Sequence, residues 1–247
     1  MGKETFKTGA LANNKFIFEV DGPLTPSRQH ITDEFYDYFL DFCTHNAVYL
    51  ITGSDRPKTV EQLGDEIVLA VKRVYNCSGN DVWEGDTHIY TNDWILPESA
   101  CEWLSRQLID SKFQVKTGRH FEHRPGMCNF SIVGRNANTD QRARYTYWDK
   151  MTGERAYIAE SFNGMFWGIT ATAGGETGLD IYPTGKDKSQ IVRDFAPEDT
   201  LWFFGDRMDP GGNDYSLAQC IENSHSVKGW EDTFQQLKTL QARGIAS

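Results

Sequence analysis

Phe16-Ile17-Phe18-Glu19-Val20-Asp21-Gly22-Pro23-Leu24-Thr25 decides how the chain is read. A short apolar run delivers two carboxylates one residue apart and then meets a Gly-Pro break. Apolar residues before a sharp turn describe a buried strand ending in a loop. In an open α/β sheet, chemistry collects outside the carboxyl ends of the strands, where Glu19 and Asp21 would stand. Side chains at i and i+2 of an extended segment point the same way. A divalent cation can hold such a pair together against its repulsion. The plainer explanation is an acidic turn after a strand, so the rest of the chain has to decide.

On either side of this stretch the pattern is strand, helix, strand. Thr32 is a plausible N-cap, with Asp33 and Glu34 favourable in a first turn, and Phe35, Tyr38, Phe39 and Phe42 recur at helical spacing. Ala47–Ile51 reads as a second strand, ending in Thr52-Gly53-Ser54-Asp55. Helices are expected from Lys58 to Gly64 and from Asp65 to Lys72, then a strand from Val74 to Cys77. Such alternation implies a parallel sheet covered on both faces. From Trp83 to Pro183 the rhythm changes. Strands are expected at His88–Tyr90, Phe121–Val133 and Gly168–Ala173, and helices at Pro97–Asp110 and Thr139–Lys150. This block reads as an insertion, with hinges near Trp83–Gly85 and Pro183–Gly185. The α/β rhythm returns with a helix from Asp187 to Phe195 and a strand, Thr200–Phe204. Then come Gly205-Asp206, the loop Pro210-Gly211-Gly212-Asn213-Asp214 and a helix from Trp230 to Ala242. The expected fold is α/β. A Rossmann-like core of residues 1–83 and 184–247 surrounds an inserted α+β cap of residues 84–183.

Composition narrows the partners. The chain has 247 residues, 39% hydrophobic and 13% aromatic, enough for a substantial core. A formal charge of −10 disfavours nucleic acid and anionic membrane. The five cysteines, Cys43, Cys77, Cys101, Cys128 and Cys220, contain no CxxC pair, which argues against a disulfide framework or a structural zinc site. Reduced thiols in a cytoplasmic protein are expected. Met1 to Asn14 lacks an apolar signal core, and no run approaches the roughly 18 apolar residues of a membrane span.

Strand ends thus supply Glu19 and Asp21, then Thr52 and Ser54, then Asp206, while Lys186 and Lys188 open the helix after the insertion. The set has a chemical logic. A carboxylate can attack phosphorus and form an acyl phosphate. A second one, two residues on, can protonate the leaving oxygen and later deprotonate the next acceptor. Mg²⁺ held by Glu19, Asp21 and Asp206 would neutralise phosphoryl charge. A hydroxyl and a lysine would meet the remaining oxygens.

In that order these residues resemble the haloacid dehalogenase superfamily, and within it the eukaryotic-type phosphomannomutases. The opening motif Asp-Val-Asp-Gly-Thr-Leu-Thr with Pro-x-Arg-Gln is similar to Glu19–Thr25 with Pro26-Ser27-Arg28-Gln29. Thr52-Gly53-Ser54-Asp55 with Glu61-Gln62-Leu63-Gly64 resembles the second segment. Phe203-Phe204-Gly205-Asp206 and Pro210–Asp214 match the last, which is long and specific. The cap motif Phe-Arg-Asn-Gly-Met resembles His123-Arg124-Pro125-Gly126-Met127, and Gly134-Arg135 with Arg142 resembles the family's paired arginines. Ser-Phe-Asp-Val-Phe-Pro resembles Gly178–Pro183, and Gly-Trp-Asp-Lys resembles Gly185–Lys188, which selects Lys188 as the motif lysine.

The resemblance implies a Mg²⁺-dependent isomerase that interconverts hexose 1-phosphate and hexose 6-phosphate, mannose foremost, in mannose metabolism. A phospho-carboxylate enzyme would be the intermediate form and a hexose 1,6-bisphosphate the intermediate or activator. It assigns catalysis to Glu19, Asp21, Lys188, Thr52 and Ser54, and substrate binding to Arg28, Arg124, Arg135, Arg142 and Asp180. Metal binding falls to Glu19, Asp21 and Asp206, with Asn213 and Asp214 in a secondary metal loop. It also implies a cytoplasmic homodimer joined through the cap.

Three positions depart from the pattern. Glu19 stands where the family has Asp, Pro23 where it has Thr, and Gly178 where it has Ser. The extra methylene of Glu19 moves its carboxylate by about 1.5 Å, and a displacement of about 1 Å can cost on the order of a hundredfold in rate. Two alternatives therefore stand beside the mutase: a sugar phosphatase, and a hexose-phosphate-binding protein with impaired catalysis.

Overall fold

The computed structural model describes residues 13–26 and 29–247. The sheet that carries Glu19 has the order β11-β10-β1-β2-β3-β4-β5. β1 (Asn14–Glu19), β2 (Ala47–Ile51), β3 (Arg73–Asn76), β10 (Thr200–Gly205) and β11 (Asn223–Ser226) run parallel. β4 (Asp81–Glu84) and β5 (Thr87–Thr91) extend that sheet as an antiparallel hairpin. Alternation along β1 assigns its faces. Phe16 and Phe18 enter one apolar cluster with α1 (Asp33–His45) and α8 (Trp230–Ala242), and Ile17 enters a second on the opposite face. Phe18 stacks on Phe204 of β10 at 4.8 Å and meets Phe39 of α1 edge-on at 5.2 Å. Phe35, Phe39, Phe42 and Cys43 form the buried stripe of α1. Thr32 occupies the N-cap position of that helix, but its hydroxyl makes no capping bond.

The second sheet is antiparallel, in the order β6-β7-β9-β8. It consists of β6 (Phe121–Arg124), β7 (Met127–Phe130), β8 (Ile169–Gly174) and β9 (Gly178–Pro183). Its core includes Phe130, Leu179 and Ile181, packed with Leu104 of α4 (Glu98–Asp110), Tyr145 of α5 (Thr139–Thr152) and Phe162 of α6 (Glu154–Met165).

Several sequence expectations shift. The single strand expected from Phe121 to Val133 is a hairpin, because Pro125-Gly126, with Gly126 at φ 63°, turns the chain. α6 was not foreseen; Gly153, at φ 67°, ends α5 and starts it. The helix expected from Asp187 is a 3₁₀ segment, Lys188–Asp194, capped by Asp187 through the Ser189 N–H at 2.8 Å. Trp83–Gly85 lies within the β4–β5 hairpin, which carries the first sheet's pairing on to Thr91. The outgoing crossing between the sheets therefore follows Thr91 rather than residue 83. Among the described residues no helix is long and apolar enough to cross a membrane.

Candidate active site

The parallel strands end at one edge, where the expected groups gather. Glu19 is two residues past Ile17 and so shares its face of the sheet. The 3₁₀ segment packs on that face through Ile191, which brings Lys188 to Glu19. Lys188 is 1% exposed and contacts the Glu19 carboxylate, and it also donates to Asp214 Oδ1 at 2.7 Å. Burial pushes Glu19 well above the usual carboxylate range, opposed by the Lys188 charge and assisted by Asp214. For Lys188, burial opposes the charge, but Asp214 and Glu19 outweigh it and raise its pKa.

Asp21 sits in the loop that follows. Its Oδ1 accepts from Gln62 Nε2 at 2.9 Å, and the same amide reaches Thr25 Oγ1 at 3.2 Å. Gly22, at φ 104°, lies against Asp206, and a Cβ there would fall 2.8 Å from Asp206 Oδ2. Burial, then the Asp214 charge, pushes Asp206 up to about 6.

Cations come from β6, from the loop after β7 and from α5. A cleft of about 490 Å³ is lined on one side by Glu19, Asp21, Ser54, Asp206 and Asn213, and on the other by Arg124, Arg135, Arg142 and Asp180. Arg124 Nη1 donates to Gly53 O at 2.5 Å, so β6 touches the loop after β2. Arg124 and Arg135 share Glu122, the latter at 2.7 Å, and Arg142 pairs with Glu176 at 2.5 Å. Burial, then the Arg124 charge, lowers the Arg135 pKa. Asp180 Oδ1 accepts from Asn129 Nδ2 at 2.7 Å, and Asn129 Oδ1 accepts from Arg135 Nη1 at 3.1 Å. At Gly178 a Cβ would lie 2.5 Å from Asn129 Nδ2, so Asn129 fills the space that a serine there would need.

Two expected site residues face elsewhere. Thr52 is fully buried and its Oγ1 accepts from Ser54 N at 3.1 Å, so its hydroxyl serves the turn. Asp214, expected in a metal loop, is fully buried. Its carboxylate accepts from Lys188, and from the backbone N–H of Asp206 at 3.2 Å and of Arg207 at 3.0 Å. It shapes the loop and holds the lysine. Arg28 lies outside the described residues.

Glu122, Glu176 and Asn129 are not singled out by the sequence, and Gln62 stands in the second motif without an assigned role. Glu122 stands two residues before the motif arginine, which places both on one face of β6, and that spacing was the available signal. Glu176 and Asn129 reach their arginines from other segments and left no local signal.

The cleft floor is lined by the carboxylates of Glu19, Asp21 and Asp206, all hard oxygen donors. That chemistry suits Mg²⁺. Among the described residues no three His, Cys, Asp or Glu side chains form a ready-made metal cage. Mg²⁺ commonly keeps several waters and takes only one or two carboxylates with substrate phosphate, so the floor fits it.

Known proteins agree with this layout. A 31% identical phosphomannomutase of Schizosaccharomyces pombe aligns over 91% of this chain and 93% of its own length. A probable phosphomannomutase of Caenorhabditis elegans, 29% identical, covers 91% of this chain and 94% of its own. Among solved structures, a Plasmodium falciparum IMP-nucleotidase has a TM-score of 0.62 at 12% identity, over 93% of this chain and 66% of that one. A trehalose-6-phosphate phosphatase related protein has a TM-score of 0.56 at 14% identity, over 94% of this chain and 98% of that one. These two likenesses are of fold alone. The family model of eukaryotic phosphomannomutase matches residues 35–242. With carboxylates at the strand ends, arginines across the cleft and that match over most of its length, the chain belongs to the eukaryotic phosphomannomutase family.

Proposed function

We propose that the protein is a phosphomannomutase-like phosphotransferase that interconverts hexose 1-phosphate and hexose 6-phosphate, with mannose the favoured sugar. The observation that carries this reading is the opposition of charges across one cleft. Glu19, Asp21 and Asp206 face Arg124, Arg135 and Arg142, in a volume of about 490 Å³. Small-molecule sites occupy roughly 300–1,000 Å³. Arginine forks suit a phosphate held away from the reacting centre, and a mutase needs such a grip because the sugar must bind in two orientations.

In this reading Glu19 attacks phosphorus, the P–O bond to the sugar breaks, and Asp21 protonates the departing oxygen. That step starts from a hexose 1,6-bisphosphate, so the phospho-carboxylate enzyme then meets a hexose 1-phosphate. The 6-hydroxyl of that sugar attacks the acyl phosphate while Asp21 takes its proton, and Glu19 is released. The 1,6-bisphosphate so formed turns, returns its 1-phosphate to Glu19 and leaves as hexose 6-phosphate. A hexose 1,6-bisphosphate would be the intermediate and would prime the resting form. Lys188 neutralises charge at Glu19, and Asp214 holds Lys188 in place. Ser54 lines the cleft and would donate to a phosphoryl oxygen. Mg²⁺ at this floor, held by one or two of the Glu19, Asp21 and Asp206 carboxylates together with waters and the substrate phosphate and with Asn213 beside them, would supply positive charge to the phosphoryl group. Asp180 would accept from sugar hydroxyls, and Arg28 is carried over from the family motif. With the β4–β5 hairpin in the first sheet, the segments up to Thr91 and of residues 184–247 would act as the catalytic core and residues 92–183 as the cap. Five free cysteines favour a cytoplasmic setting. Exposed Tyr147 and Met151 on α5 and Tyr157 on α6 favour a homodimer through that cap.

One observation favours a second reading, a hexose-phosphate-binding protein with slow turnover. Glu19 is longer than aspartate and its carboxylate is already engaged by Lys188. The deciding experiment supplies mannose 1-phosphate with Mg²⁺ and a hexose bisphosphate. Mannose 6-phosphate as product supports the mutase. Inorganic phosphate alone would make the protein a phosphatase, and saturable binding without product would establish the second reading.

A further inference from the structure

Both crossings between the two sheets meet at one buried side chain. Asn80 has no exposed surface and follows a turn in which Cys77, Ser78 and Gly79 all have positive φ, at 50°, 59° and 87°. Two of these are not glycine. Backbone of that kind is strained and persists only where its surroundings hold it, and it concentrates at functional sites. On one side the turn holds the loop after β2. Cys77 N donates to Ser54 O at 2.9 Å and Ser78 N to Thr52 O at 2.8 Å.

On the other side Asn80 ties the turn to both crossings. Its Nδ2 donates to Cys77 O at 2.8 Å and to Lys186 O at 3.0 Å, while its Oδ1 accepts from Asn92 Nδ2 at 2.9 Å. Asn92 is the first residue after β5, on the outgoing crossing. Lys186 lies on the returning crossing, two residues before Lys188. Gln190 repeats the link, its Nε2 donating to Ser78 O at 2.8 Å and to Lys186 O at 3.1 Å. The β6–β7 turn is seated on the same spot. A Cβ at Gly126 would lie 2.7 Å from the Cβ atoms of both Asn80 and Asn92. Every polar atom of the Asn80 side chain is thereby spent on segments that lead to the cleft.

We propose that Asn80 is a positioning residue that ties the outgoing and returning crossings to the left-handed turn, and so fixes the Thr52–Ser54 loop relative to Lys188 and to the second sheet. It touches no substrate. Its effect on turnover rests on the mutase reading above, but its mechanical effect does not. Asn80→Asp keeps the shape and the acceptor for Asn92 while turning the donor toward Cys77 O and Lys186 O into a carboxylate oxygen. Asn92→Ala removes the side-chain part of the outgoing tie and the bond from Trp94 N to Asn92 Oδ1 at 3.1 Å, and leaves the main-chain bond from Asn92 N to Asn80 O at 2.8 Å.

The test is hydrogen exchange on the full chain, followed segment by segment, with steady-state kinetics on mannose 1-phosphate. For Asn80→Asp, exchange should rise about tenfold or more in 52–54, 77–80 and 184–188 and stay unchanged in β1 and β10. For Asn92→Ala the rise should be confined to residues 92–95. Turnover of Asn80→Asp should fall about tenfold with KM within about threefold, because the arginines that grip phosphate are untouched and only alignment is lost. A uniform rise over the whole chain, or no change at 52–54, would overturn the proposal, since Asn80 would then be ordinary core. Should Asn80→Asp fail to fold, Gln190→Ala serves instead. A smaller rise in the same three segments supports the tie, and its absence refutes it. If exchange localises as described while the parent neither binds nor converts a hexose phosphate, the tie stands and the mutase reading falls.

Discussion

Asp214→Ala should be among the most damaging single changes in the core sheet. Asp214 is fully buried and accepts from Lys188 Nζ at 2.7 Å and from the N–H groups of Asp206 and Arg207 at 3.2 and 3.0 Å. Truncation leaves the Lys188 ammonium, itself 1% exposed, with Glu19 as its remaining carboxylate partner, and strands two backbone donors. Removing one partner of a buried ion pair costs roughly 3–5 kcal/mol, and each stranded donor about 1–3 kcal/mol where water cannot reach it. These costs overlap, so the expected loss is about 3–5 kcal/mol. For a chain of this size each kcal/mol moves the melting temperature by about 2–4 °C, so melting should fall on the order of 10 °C. Asp214→Asn keeps the shape and one acceptor and should lose clearly less. It should also bring the Asp206 pKa down, because the Asp214 charge helps to raise it. Urea unfolding of the three proteins at pH 7.5 decides the matter. An Asp214→Ala variant within about 1 kcal/mol of the parent would refute the view that this carboxylate holds a buried lysine.

Further predictions follow from the same geometry. Asp206 has a pKa raised to about 6, so its protonated form favours the folded state at acid pH and that contribution is lost as pH rises through about 6. Mg²⁺ should therefore raise the melting temperature more at pH 7.5 than at pH 5, and an equal shift at both would place the ion elsewhere. Burial lowers the His225 pKa, so its contribution is present above about 6.5 and lost as pH falls below that. His225→Phe should flatten the acid loss of stability between pH 7 and 5 in urea titrations, and an unchanged slope would refute this. Gly178→Ser, which restores the family residue, would press on Asn129, whose amide lies 2.5 Å from a Cβ there. Overpacking of that kind costs about 1–3 kcal/mol, so calorimetry should find mannose 6-phosphate bound more weakly, while tighter binding would contradict the crowding. Arg135→Ala should weaken the same ligand about ten- to a hundredfold, as expected for a charge-assisted bond of roughly 1.5–3 kcal/mol. An unchanged affinity would remove Arg135 from the phosphate site.

Much of this was legible in the chain because the signals are local. The Phe16–Phe18 run, its carboxylates and the Gly-Pro break announce a strand and its functional end within ten residues. The parallel sheet follows from strands alternating with helices. What was not legible depends on partners far apart in sequence. Asp214 reads as one more acidic loop residue until Lys188, 26 positions away, is seen to point at it. Thr52 reads as a phosphate-facing hydroxyl, yet its neighbour Ser54 captures it through the backbone. The β4–β5 hairpin hides because Trp83-Glu84-Gly85 looks like a break, whereas the pairing of Val82 with Tyr90 continues the sheet. The glutamates beside the arginines hide for the same reason, since carboxylates are ordinarily solvated.

The measurement that tests the central claim most directly is mannose 1-phosphate turnover by the parent, Glu19→Asp and Glu19→Gln in one buffer with excess Mg²⁺. If Glu19 holds the phosphoryl-accepting position, Glu19→Asp shortens the side chain toward in-line attack and should be about ten- to a hundredfold faster. Glu19→Gln offers a poor nucleophile and should be inactive while still binding hexose phosphate through Arg124, Arg135 and Arg142. A Glu19→Asp variant no faster than the parent, with a Glu19→Gln variant no slower, would contradict the account and remove this strand end from the chemistry.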